Sequence, residues 1–299
     1  MGWLGRVLRY LRLKILVTLL RTAFRLSRPL PIATNPHTVL GIPSRDAKRK
    51  ITAHVYARES ASLPSQPVLI NFHGSGMIFP HFGSDDEFCH YISQNTEVTV
   101  LDVQYRLSPE NPFPAALNDV EDVIRWVLGQ PDKYDLTRLS ISGFSAGGNL
   151  ALAASGVLLP QDTFRSVLAF YPGTDLFKNP EGKAAFEDCG KTLPPRISRL
   201  FSACYIPEGV DARDPRISPI YADPARFPAR MLMITASGDN MAPEAEELAA
   251  LVEKQANHHV VLKRMEHCIH GFDKNTKPGT VAEEAKIRAY SMAAEMLKE

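Results

Sequence analysis

Ser145 stands at the centre of Gly143-Phe144-Ser145-Ala146-Gly147. An apolar, β-rich run at 139–142 precedes this pentapeptide, and a run of small, helix-compatible residues at 149–155 follows it. The pattern predicts a serine on a sharp strand-to-helix turn, where glycines at both ends tolerate a crowded backbone and leave the hydroxyl exposed. A helix N-terminus at this point also favours the negative charge that develops in acyl transfer. The chemistry that fits is nucleophilic attack by a serine on a carbonyl carbon. A pentapeptide of this form also arises in ordinary Gly- and Ser-bearing loops, so the strand and helix flanks carry the reading.

Such a nucleophile needs three further things: donors for the oxyanion, a base and an orienting carboxylate. Directly after the apolar run 68–72 comes His73-Gly74-Ser75-Gly76, an HGGG-type loop with Ser75 in a glycine position. The main-chain N–H groups of Gly74, Ser75 and Ala146 are the candidate oxyanion donors. Because backbone groups do this work, a serine there keeps the donor. Taken alone, the same segment is a Gly-rich turn with His73 packed against it. In α/β-hydrolases the chain order is Ser, then Asp or Glu, then His, on loops after late strands. The strand at 231–235 runs into Asp239, and the strand at 260–263 runs into a loop with His267 and His270-Gly271-Phe272. Asp239 and His270 fit the acid and the base, with Gly271 permitting a tight turn that presents the ring. His267 competes for the base and Asp175 for the acid. Asp102 and Asp119 precede Ser145 and break the order, and His37, His54, His81, His90, His258 and His259 read as ordinary surface or core residues.

These groups have to be positioned by something. Runs at 68–72, 98–103, 139–142, 167–170, 231–235 and 260–263 read as strands, several apolar on both faces, as in a covered parallel sheet. Segments 114–128, 146–157, 243–255 and 281–297 carry helical periodicity. The alternation predicts an α/β fold, a mostly parallel central sheet flanked by helices. Proline-rich 177–215 breaks the rhythm and is expected to be an inserted helical cap. The chain thus divides into an N-terminal segment, 1–50, and a domain of 51–299 with the cap insertion.

Across 299 residues, 34 Lys plus Arg offset 33 Asp plus Glu, so no global field exists to attract nucleic acid. A small, largely uncharged partner is easier to account for. Locally, Arg6, Arg9, Arg12, Lys14, Arg21, Arg25 and Arg28 all precede the first acid, Asp46. The N-terminal stretch is therefore a cationic, apolar helix candidate whose longest uncharged apolar piece, 15–20, is too short to span a membrane. It reads as a lid over the site, as a peripheral contact on an anionic membrane surface, or as an Arg-rich targeting peptide. Cys89, Cys189, Cys204 and Cys268 lack the spacing of zinc or CxxC motifs and read as buried thiols in a reducing compartment, so the expected location is intracellular, cytoplasmic or membrane-associated. Nothing indicates a metal or organic cofactor, and oligomeric state is not readable.

Together these blocks resemble the hormone-sensitive-lipase-like, or fold-3, family of α/β-hydrolases. The resemblance spans about 65–275 and adds Asp102-Val103-Gln104-Tyr105-Arg106-Leu107-Ser108-Pro109-Glu110 with Phe113-Pro114-Ala115-Ala116, Gly143 to Gly148, and Asp214-Pro215-Arg216-Ile217-Ser218-Pro219. It implies that the Tyr-Arg-Leu-Ser-Pro-Glu block is a structural loop, and that the chain is a serine carboxylesterase working through an acyl-enzyme on a small, largely apolar ester. Amide, lactone and thioester substrates stay open. So do two other roles found on this scaffold: a lyase, dehydratase or cyclase of specialised metabolism, and a non-catalytic receptor, as in the gibberellin-receptor relatives with an incomplete triad. Three departures from the family pattern bear on the pocket. Phe144 replaces the usual Asp, Ser75 a Gly, and Pro243-Glu244 the usual Asp-Glu pair.

Overall fold

The computed structural model describes residues 2–27, 31–58, 65–190 and 192–298, so Arg28 and one residue of the 177–215 segment lie outside it. Eight strands form one sheet: β1 (Thr38–Pro43), β2 (Lys50–Tyr56), β3 (Gln66–Phe72), β4 (Thr99–Val103), β5 (Tyr134–Phe144), β6 (Ser166–Phe170), β7 (Arg230–Ala236) and β8 (His259–Met265). Their spatial order is β1-β2-β4-β3-β5-β6-β7-β8. β1 and β2 run antiparallel to their neighbours, and every pairing from β4 to β8 is parallel.

The central strands are apolar on both faces because helices cover both. α3 (Ala115–Leu128), α4 (Ala146–Ala153) and α6 (Ala242–Glu253) bury Val120, Leu150 and Leu248 in one layer. α2 (Asp86–Asn95) and α7 (Val281–Lys298) bury Phe88, Ile92 and Tyr290 in the other. Asn71 is the polar exception within β3, and it is fully satisfied: its amide donates to Asp85 and Asp102, and its carbonyl accepts from Ser142.

Two sequence expectations need correction. The boundary at residue 50 does not follow the architecture, because β1 pairs residue by residue with β2 inside the main sheet. β1 buries one residue in six, and its short Thr-Val-Leu-Gly-Ile-Pro run is interrupted by a glycine and closed by a proline, which hides it as a strand. The helical run expected over 146–157 ends as an α-helix at Ala153 and continues as a wider, π-type turn over Ala154–Leu158. α2 was not legible either, being short, with its buried residues Phe88, Cys89, Ile92 and Ser93 interrupted by polar ones.

Outside the sheet, α1 (Trp3–Ser27) lies across the 77–80 loop and α5 (Pro195–Tyr205), where Val17, Ile78 and Cys204 form a small core of their own. The Arg21 guanidinium donates to the carbonyls of Ile78 and Ser108 and to Glu110, which Lys14 also engages. Burial by itself raises the Glu110 pKa, but hydrogen bonds from Arg21 and Lys14 outweigh it and hold the carboxyl down at about 2. No described helix is long and apolar enough to cross a membrane. Among the four free cysteines, Cys89, Cys204 and Cys268 are buried, whereas Cys189 is only partly so.

Candidate active site

Ser145 sits between β5 and α4 with φ 52° and ψ −114°, a left-handed conformation that non-glycine residues rarely adopt. Its flanking glycines are forced by close approach. A Cβ on Gly147 would lie 1.9 Å from the Phe72 carbonyl oxygen, and one on Gly143 2.3 Å from the Gly147 backbone. The elbow is therefore packed directly against the end of β3, where the His73-Gly74-Ser75 loop begins. The Ser145 N–H donates to the Phe170 carbonyl at 2.8 Å, tying the elbow to β6 as well.

Three side chains far apart in sequence meet in one line. His270 Nε2 lies 2.9 Å from Ser145 Oγ, and His270 Nδ1 lies 2.7 Å from Asp239 Oδ2. Asp239 follows β7 and is wholly buried, its second oxygen accepting from the Met241 N–H at 3.0 Å. The imidazole keeps 24% of its surface exposed. Burial lowers the His270 pKa, but the charge of Asp239, its hydrogen bond and the charge of Asp273 together raise it above its ordinary value.

The competing residues have other partners. His267 is 71% exposed and bonds Glu187 at 2.5 Å. Asp175 lines the same cavity as Ser145 but caps its own loop, accepting from the Phe177 and Lys178 N–H groups. Asp102 is buried against Asn71, with burial and Asp85 raising its pKa to about 8. Asp119 binds Arg49 and Arg106.

Gly74, Ser75 and Ala146 line one cavity with Ser145. Among the described residues, no hydrogen bond engages the N–H of Gly74 or Ser75, and the Ala146 N–H belongs to the first turn of α4, which has no intrahelical acceptor. Three unsatisfied donors thus border the nucleophile. The Ser75 side chain turns away from them: its hydroxyl is 2.7 Å from the Tyr105 hydroxyl and accepts from the Met77 N–H at 2.9 Å. Tyr105 spends its own proton on the His73 carbonyl at 2.7 Å, so Ser75 donates to Tyr105. The His73 ring stacks on Tyr105 and is held neutral by burial, its pKa pushed down to about 4. The Tyr-Arg-Leu-Ser-Pro-Glu block therefore supports the 73–76 loop through Tyr105 and holds α1 through Glu110.

Sequence reasoning missed other residues at the site. Tyr171, with φ 39°, packs edge-on against the His270 ring at 4.8 Å and donates to Asp273 at 2.5 Å. The Asn149 amide joins α4 to the carbonyls of Gly173 and Ile217, both at 2.8 Å. No local sequence pattern singled out either residue. Phe144 stacks on Phe170 and carries the Lys274 ammonium 3.9 Å above its ring centroid, that ammonium being paired with Asp85 and Asp273. Buried Glu244 accepts from the Thr174 and Asp175 N–H groups and pairs with Lys183, fixing the loop after β6 to α6.

The cavity has a volume of about 1150 Å³. Met77, Phe79, Leu176, Phe201, Tyr205 and Ile32 give it an apolar side beneath α1 and α5. Among the described residues, no group of three His, Cys, Asp or Glu side chains converges as a metal site.

Comparison with known proteins matches the sequence pattern of the alpha/beta hydrolase fold family to residues 69–274. The chain is 30% identical over 222 residues to an ethyl acetate hydrolase of Pseudomonas putida, covering 73% of this chain and 68% of that one. It is 29% identical over 216 residues to the carboxylic ester hydrolase LipN of Mycobacterium tuberculosis, covering 69% of this chain but only 57% of that relative's length. Among solved structures, an esterase of Pyrobaculum calidifontis superposes with a TM-score of 0.78 at 28% identity, over 94% of this chain and 92% of that one. EstE1, a thermostable carboxylesterase cloned from a metagenomic library, gives 0.77 at 25% identity, over 96% and 98% of the two chains. With residues 69–274 matched by the family pattern, the chain belongs to the α/β-hydrolase fold family, in its fold-3 branch.

Proposed function

We propose that the chain hydrolyses carboxylic esters through an acyl-enzyme on Ser145, acting on a small, largely apolar ester. The observation that carries this reading is the unbroken line Ser145–His270–Asp239, at 2.9 and 2.7 Å, beside unsatisfied amides. His270 Nε2 takes the Ser145 proton as Oγ attacks the carbonyl carbon. The N–H groups of Gly74, Ser75 and Ala146 hold the oxyanion, and the α4 N-terminus adds its dipole. His270 then returns the proton to the leaving alcohol, and water repeats the sequence to release the acid. Asp239 fixes the tautomer and stabilises the imidazolium. The apolar side of the cavity supports short to medium acyl or alcohol groups, as do relatives named for ester substrates. Partnering a small ester, the chain needs no nucleic acid and no bound cofactor for these steps.

Rates on p-nitrophenyl esters of increasing acyl length test this directly. Wild type should turn over the shorter esters, and Ser145→Ala should lose at least about a thousandfold in kcat. Full turnover by Ser145→Ala would sink the reading.

A further inference from the structure

The outer face of α1 carries a stripe that the fold leaves uncovered. Leu4, Leu8, Leu11, Ile15, Leu19 and Leu26 fall at three-, four- and seven-residue spacings, which is a single line along a helix. All are between 48% and 84% exposed. The helix cannot simply roll over to hide them, because its other face is already engaged. Val17 is buried against Ile78 and Cys204, and Arg9, Lys14 and Arg21 bond to Ala203, Glu110, Ser108 and Ile78.

Cations accompany the stripe. Arg12 and Arg25 are exposed within about a quarter turn of it, and neither pairs with an acid among the described residues. α1 itself contains no Asp or Glu.

We propose that α1 is an in-plane docking helix for an anionic lipid bilayer. Its 25 residues span about 37 Å, enough to lie along a membrane surface, and its charges bar it from crossing one. The stripe seats leucines at the headgroup–acyl boundary while the arginines meet anionic headgroups. A second copy of the chain is the competing occupant. Two α1 helices placed face to face offer no acid to answer each other's arginines, which disfavours that pairing. Docking also brings one rim of the cavity to the lipid, since Phe24 at the end of α1 and Ile32, 78% exposed, line the cavity that holds Ser145.

Flotation of the full chain with vesicles tests the proposal without relying on any activity. Wild type should float with phosphatidylcholine–phosphatidylserine vesicles, far less with phosphatidylcholine alone, and less again as salt is raised. The triple variant Leu8→Glu, Ile15→Glu, Leu19→Glu should lose about a hundredfold or more in partitioning. Arg12→Ala with Arg25→Ala should lose roughly tenfold. These side chains face solvent, so circular-dichroism melting should show every variant folded. Wild type staying at the bottom of the gradient with anionic vesicles overturns the proposal, and so does a triple variant that floats equally well. A wild-type dimer that the triple variant dissolves, with no vesicle binding, assigns the stripe to a second copy instead.

Discussion

At the scale of single residues, the proposed chemistry depends on a histidine that is neutral when it acts. The charge of Asp239 raises the His270 pKa above its ordinary 6.5 despite burial. Activity should therefore be full at alkaline pH and fall as pH drops through a midpoint above 6.5. Stability runs the other way. A raised folded-state pKa stabilises the fold below the unfolded value and loses that contribution as pH rises through the folded one. Asp239→Asn should shift the acid limb of kcat/KM to lower pH and cut kcat by about 10⁴-fold. An unmoved acid limb in that variant would assign the titration to another group. Ser145, Asp239, His270 and the 73–76 loop, which the structure brings together, could be picked out in the sequence because chain order and flanking glycines are local signals. Tyr171 and Asn149 were not, since their contacts with His270 and with the carbonyls of Gly173 and Ile217 arise only after distant strands are aligned.

At the scale of elements, the 73–76 loop, proposed to hold the oxyanion, is held by a chain of hydrogen bonds rather than by its glycines alone. Met77 N–H to Ser75, Ser75 to Tyr105 and Tyr105 to the His73 carbonyl form a buried relay. A serine replaces the family's glycine without loss of a main-chain donor, because its side chain joins this relay and stays out of the cavity's donor row. Tyr105→Phe removes the acceptor for Ser75 and the donor for His73, leaving buried polar groups unpaired at a cost of about 1–3 kcal/mol. The variant should melt several degrees lower and lose roughly tenfold in kcat with KM little changed. An equal loss in kcat/KM through KM alone would place Tyr105 in substrate binding instead. The role of Tyr105 was not readable beforehand. Its block could be recognised as recurrent, but only the strand order that sets β4 beside β3 shows which loop it braces.

At the scale of the whole molecule, the α/β architecture, a sheet between two helical layers, was legible because the buried strands β3, β4, β6 and β7 are largely apolar runs and α3, α6 and α7 are periodic. What escaped lay at the edges. β1 is solvent-facing and short, and the path of the 177–215 segment, which carries the long helix α5, follows contacts with α1 and the 77–80 loop that no local pattern encodes. The result is a site assembled from the ends of β3, β5, β7 and β8 and roofed by α1 and α5. Whether that assembly performs acyl transfer is tested most directly by intact-mass spectrometry of the chain quenched in acid during turnover of a slowly deacylating p-nitrophenyl ester. The proposal predicts a mass increase of one acyl group, mapped by peptide digestion to Ser145 and absent from Ser145→Ala. Turnover of that ester with no acyl adduct on the quenched chain, or an adduct on another residue, would contradict it.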